Sequence, residues 1–129
     1  MNKIAVLKEK EFNENRVALV PELVKKYINL GFKVFVEKGA GNLAGFLDEE
    51  YQSQGAIISS IPLEIIADAD IILKVRPNIN FNDKFNEVNI MRQESILIGL
   101  ISPHENRELL ELYSRRNIYC FALELMPRI

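Results

Sequence analysis

The sequence contains one cysteine and one histidine. A lone Cys120 excludes an internal disulfide. Its apolar, strand-like surroundings read as those of an inert buried thiol. One Cys and one His cannot together supply a zinc-type ligand cluster. Long hydrophobic runs are missing too: the longest, Ile96 to Ile101, falls far short of the roughly 20 residues needed to cross a bilayer. The amino-terminal MNKIAVLKEKE is a strand followed by charges, without a secretory signal pattern. Basic charge is not in excess. The net charge is -2, and Lys and Arg are spread along the chain, which argues against nucleic acid as the main partner. These absences predict a reducing, cytoplasmic setting. What remains is an ordinary globular composition, 48% hydrophobic and 26% charged over 129 residues. That is one domain by length, able to bury about two-thirds of its unfolded surface without a disulfide staple.

Short apolar runs alternate with longer mixed segments. The pattern predicts strands at Lys3 to Leu7, Lys33 to Glu37, Ala56 to Ser59, Asp70 to Val75, Ser95 to Ile101 and Ile118 to Leu123. Several (IILKV, ILIGLI, IYCFAL) are apolar at both alternate positions, as strands covered on both faces are. Helices are expected between them. The first spans Pro21 to Leu30, with proline at its start and Gly31 at its C-cap. Others cover about Asp48 to Gln54, Pro62 to Ala67 and Asp83 to Met91. The last begins at Ser102-Pro103-His104-Glu105, which reads as a capping box, and continues to about Arg116. The alternation argues for an α/β fold: a mainly parallel sheet with helices on both faces.

Four places carry candidate chemistry. NENRVALVP, Asn13 to Pro21, connects the first strand to the first helix. Such a connection lies at the carboxyl rim of the sheet, where ligands bind in α/β folds. Arg16 is its one fixed cation. It is either a solvated loop arginine or a fork for a carboxylate or phosphate. Lys74 interrupts an apolar strand near its carboxyl end. Either its ammonium snorkels to water or it meets an anion at the same rim as Arg16. Arg76 lies just beyond, as a third cation or a solvated one. The glycine cluster EKGAGNLAGF has the spacing G-x-G-x-x-x-G, follows the second strand and opens no long helix. It therefore reads as a tight structural loop, and a complete dinucleotide site is not expected. His104, the one imidazole, falls in the first turn of the expected last helix and has no evident partner, so it reads as a surface histidine. The chain ends on ELMPRI, in an apolar passage that looks cut in the middle of an architecture. Arg128 sits there at or past the end of a strand.

VLKEKEFNENRVALVP, EKGAGNLAGFLDEEYQSQGA, ILKVRP and MPRI, in this order, resemble the N-terminal part of the proton-translocating NAD(P) transhydrogenase alpha subunit. Alanine dehydrogenase shares the homologous region. The resemblance runs through essentially the whole chain. It implies a Rossmann- or flavodoxin-like single domain, 1–129, that lacks the second, nucleotide-binding lobe. It further implies an NAD site incomplete in this chain, with NADP on a partner component. Hydride would pass between NAD(H) and NADP(H), coupled to proton translocation through a membrane subunit. The implied place is cytoplasmic, peripheral to the inner membrane through partner subunits.

Residue by residue, Arg128 matches an arginine that contacts the nicotinamide region in transhydrogenases. Arg16 and Lys74 match the pair that holds the keto-acid carboxylate in alanine dehydrogenases. The catalytic histidine of the latter aligns with Ser102, and His104 falls two residues late. No residue is assigned a catalytic role, and no metal is expected. The leading expectation is a transhydrogenase lobe without turnover of its own. Its partners would be the missing Rossmann lobe and the other subunits, and a homodimer could cover an exposed apolar surface. The alternatives are an alanine dehydrogenase fragment and a stand-alone anion-binding or interaction module.

Overall fold

The computed structural model describes residues 2–77 and 87–127. Six strands form one sheet: β1 (Lys3–Val6), β2 (Lys33–Glu37), β3 (Ile57–Ser59), β4 (Ile71–Leu73), β5 (Ile96–Gly99) and β6 (Tyr119–Ala122). Their spatial order is β3-β2-β1-β4-β5-β6, and every pairing is parallel. Four helices accompany them: α1 (Pro21–Asn29), α2 (Asp48–Ser53), α3 (Pro62–Ile66) and α4 (Arg107–Arg115).

The apolar runs form central strands because both of their faces are covered. Ile4 and Val6 face a core with Val24 of α1 and Tyr51 of α2. Ala5 and Leu7 face the opposite core, with Ile65 and Ile66 of α3 and Leu109 and Tyr113 of α4. Period-two alternation thus sends neighbouring residues of one strand into two different cores. α1 starts at Pro21, and Gly31, with φ 99°, ends it in the left-handed region that glycine alone enters without strain. β6 is an edge strand, and its Tyr119 and Phe121 are exposed together with the Leu123, Leu125 and Met126 that follow.

The all-parallel sheet with helices on both faces agrees with the sequence reading, and all six expected strands are present. Three expectations need correction. IYCFAL reads as a strand covered on both faces, yet β6 lies at the sheet edge and leaves Tyr119 and Phe121 exposed. The last helix begins at Arg107, not Pro103. Ser102 has φ 51° rather than the extended backbone of an N-cap, and its carbonyl accepts the N–H of both Glu105 and Asn106. The Ser-Pro-His-Glu segment is therefore a closed turn, and His104 lies in it. The expected helix over Asp83 to Met91 is described only from Glu87, where Glu87–Asn89 make a short 3-10 turn; residues 83–86 lie outside the described residues.

Candidate functional site

β1 and β4 are neighbours, yet the chain leaves β1 toward β2 on one side and β4 toward β5 on the other. In open parallel sheets this switch point opens a crevice at the carboxyl ends of the strands. Here the crevice is a cleft of about 300 Å³. Arg16, Val17 and Ala18 of the β1–α1 connection form one wall. Leu73, Lys74 and Val75 at the end of β4 form the other, and Ile98, Leu100 and Leu123 close the far side. Gly99 allows β5 to approach: a Cβ there would collide with the Lys74 carbonyl.

The β1–α1 connection is shaped by its acids and amides. Asn13 adopts φ 63°, a conformation asparagine tolerates better than most residues. The turn carries Glu14 inward, where it is 6% exposed. Its carboxylate accepts the Arg16 backbone N–H at 3.1 Å, Arg16 Nε at 2.9 Å and Nη2 at 2.7 Å, and Arg76 Nε at 2.8 Å. One carboxylate thus fastens two guanidiniums. The hydrogen bonds from Arg16 dominate over desolvation and hold the Glu14 carboxyl down at about 2. The Arg16 side chain itself remains 57% exposed.

Glu9 lies further in. Its carboxylate accepts Val75 N–H at 3.0 Å and Arg76 N–H at 2.8 Å, so it fixes the backbone just beyond Lys74. Burial pushes its pKa above the usual carboxylate value, and the two backbone bonds only partly offset that. Lys74 is buried at 3% exposure. Its ammonium donates to both oxygens of Glu87, at 3.0 and 2.9 Å, and Lys10 approaches the same carboxylate at 3.5 Å.

Arg16 and Lys74 therefore line one cleft, each held by an internal carboxylate. Lys74 does not snorkel to solvent. Arg76 shares Glu14 with Arg16. His104 is not among the residues lining the cleft. Arg128 lies outside the described residues. Glu9, Glu14 and Glu87 escaped the sequence reading. Glu14 had a local signal, two residues before Arg16, whereas Glu9 meets partners 66 and 67 positions away.

The glycine loop does not form a phosphate cradle. A Cβ on Gly41 would lie 2.8 Å from the Tyr51 ring carbon Cε2 and from its hydroxyl, so that glycine lets an aromatic side chain pack closely. The Tyr51 hydroxyl donates to the Leu19 carbonyl at 2.7 Å, and the Gly39 N–H donates to Asp48 at 2.9 Å. The loop is tied to its own chain, and residues 7–20 after β1 contain no glycine. A dinucleotide pyrophosphate needs close backbone approach at the first βα turn, and the described residues do not fit it. Among the described residues no group of acidic, His and Cys side chains could hold a metal, and no helix is long and apolar enough to cross a membrane.

Residues 5–129 match the family model described as alanine dehydrogenase/PNT, N-terminal domain. The chain is 50% identical over 127 residues to the first part of the NAD(P) transhydrogenase subunit alpha of Rickettsia prowazekii, covering 98% of this chain and 33% of that one. It superimposes on the transhydrogenase of Sinorhizobium meliloti with a TM-score of 0.89 at 36% identity, covering 99% of this chain and 36% of the other. An L-alanine dehydrogenase gives 0.82 at 28% identity, covering 93% and 32%. The chain thus spans about a third of the length of the curated relatives it matches.

Proposed function

Because the chain belongs to the alanine dehydrogenase/PNT N-terminal domain family, we propose that it is one lobe of the NAD(H)-binding component of a proton-translocating NAD(P) transhydrogenase. In that enzyme, hydride passes between NAD(H) on this component and NADP(H) on another, coupled to proton movement through a membrane subunit. The observation that carries the reading is the match along 98% of the chain to a transhydrogenase alpha subunit. The cleft supplies one wall. A second lobe holds the dinucleotide, since the glycine loop of this chain is engaged by Tyr51 and Asp48. Arg128 would face the nicotinamide. The chain alone is then inactive, and it sits at the membrane only through partner subunits. The exposed margin of β6 and the Leu123 to Met126 segment is the surface that the second lobe, or another copy, would cover.

The alanine dehydrogenase reading is favoured by the placement of Arg16 and Lys74 in one cleft. It is weakened by His104, which lies in the turn after β5 and outside that cleft.

The test is reconstitution. The chain alone should neither enhance NADH fluorescence nor reduce an NAD analogue with NADPH. Adding a separately expressed second lobe from a transhydrogenase relative should restore NADH binding, and a membrane fraction with the remaining subunits should restore hydride transfer. Turnover by the isolated chain would refute the reading. Pyruvate amination by the reconstituted pair, lost in His104→Ala, would replace it with the alanine dehydrogenase reading.

A further inference from the structure

The face of the sheet that meets Val24 and Tyr51 is covered over only half its width. On β1 and β2, Ile4, Val6, Val34 and Val36 are at most 2% exposed. Register carries the same face outward: Ile4 pairs with Ile71, Ile71 with Ile96 and Ile96 with Tyr119, while Leu73 pairs with Ile98 and Ile98 with Phe121. Cover is lost step by step along these rows. Ile71 and Leu73 are half-buried at the margin of the core. Ile96 and Ile98 are half-buried and belong to neither core. Tyr119 and Phe121 are 59% and 54% exposed. The opposite face shows no such loss at Ala5, Ile72 and Leu97, which are at most 2% exposed. The cause is topological. α1 and α2 pack on β2 and β3, whereas Val88, Leu109 and Tyr113, from the connections after β4 and β5, all pack into the opposite core. The bare half-face runs into the cleft, since Leu73, Ile98 and Leu123 line it.

We propose that this half-face docks one amphipathic helix, supplied by the part of the transhydrogenase component that this chain does not span, and that the docked helix closes the cleft beside Arg16. The inference rests on the transhydrogenase reading above. The occupant is a helix because parallel strands are covered on both faces by helical layers, and α1 and α2 already supply that layer over the other half. The dimensions fit one helix. β4 to β6 span two strand spacings, about 10 Å, against a helix diameter of about 10–12 Å. Strands of four residues are about 13 Å long, a length that about nine helical residues match. The side chains on offer are apolar, so the helix must bring an apolar stripe at the i, i+3, i+4, i+7 spacing. The relatives contain chain enough for it: the matched region is an N-terminal domain and makes up 33% of the Rickettsia relative. Leu73, Ile98 and Leu123 lie both under this helix and in the cleft wall, so docking and closure are one event.

Isoleucine δ1-methyl NMR of the full chain, titrated with the separately expressed remainder of a transhydrogenase relative's subunit, tests this. The Ile71, Ile96 and Ile98 methyls should shift, while Ile65, Ile66 and Ile72 of the opposite core should not. Tyr119→Thr combined with Phe121→Thr should weaken the association at least tenfold. Both side chains are already more than half in water, so the double variant alone should melt within about 4 °C of wild type. Association that leaves Ile96 and Ile98 unmoved is edge pairing and overturns the proposal. Shifts of Ile96 and Ile98 that grow with the concentration of the chain alone reveal a second copy and overturn it too. Restored NADH binding without methyl shifts overturns the docked helix and leaves the transhydrogenase reading standing. Methyl shifts without NADH binding do the reverse, and the absence of both overturns both.

Discussion

Replacing Lys74 by methionine tests whether a buried ion pair holds the segment after β4. Lys74 is 3% exposed and its ammonium is bonded to both Glu87 oxygens. Methionine fills much of the same volume but leaves the Glu87 carboxylate buried without its main partner. Breaking a buried pair in this way costs about 3–5 kcal/mol. Lys10, at 3.5 Å from Glu87, relieves part of it, which places the loss near the lower end, about 3 kcal/mol. At about 2.1 cal/mol/K per residue, 129 residues give a melting entropy of about 0.27 kcal/mol/K, so the melting temperature should fall by about 11 °C. The urea midpoint should drop with an unchanged slope. Replacing both partners, Lys74→Met with Glu87→Leu, removes both charges and should recover most of the loss. A Lys74→Met variant within about 1 kcal/mol of wild type would refute the reasoning, and so would a double variant less stable than the single one.

Gly99→Ala should destabilise by about 1–3 kcal/mol or more, since the new Cβ meets the Lys74 carbonyl, which cannot rotate away as a side chain would; urea unfolding reads it. Glu14 contributes stability that is fully present above its unfolded value of 4.5 and is lost as pH falls toward about 2. Glu14→Gln should therefore be less stable than wild type at neutral pH, and the gap should close across that window in a pH series of melts. Cys120 is half-buried, and burial pushes its thiol up to about 11. At pH 7.5 it should react with iodoacetamide far more slowly than the unfolded chain, measured by mass spectrometry.

The sheet was legible because short apolar runs, too short for buried helices, recur between longer helix-like segments. The first helix was legible because Pro21 and Gly31 punctuate it. The start of the last helix was not: Ser-Pro-His-Glu satisfies a capping-box pattern, yet Ser102 turns left-handed and closes a tight turn instead. Periodicity cannot foresee that choice, which rests on contacts such as the Glu124 carboxylate accepting the Ile101 and Ser102 N–H groups. The same holds for the cleft. Arg16 and Lys74 were visible as fixed cations near strand ends. The buried acids that hold them were not, because a buried carboxylate is recognised by partners that folding brings in from far along the chain. Glu14 fastens Arg76 across 62 positions.

Among the described residues no strand pairs with the outer edge of β6, and that has a consequence for how the chain behaves in solution. A parallel edge strand offers a row of unpaired backbone N–H and C=O groups. Here Tyr119 and Phe121 flank that row, and no lysine or proline interrupts β6. Natural sheets usually blunt such an edge with charge, a bulge or a cover. Without the second lobe or another copy over it, β6 is a template for strands from other molecules, so association of the isolated chain should grow with concentration, read by light scattering, and start at this margin. A single lysine at Phe121 would act as a gatekeeper there.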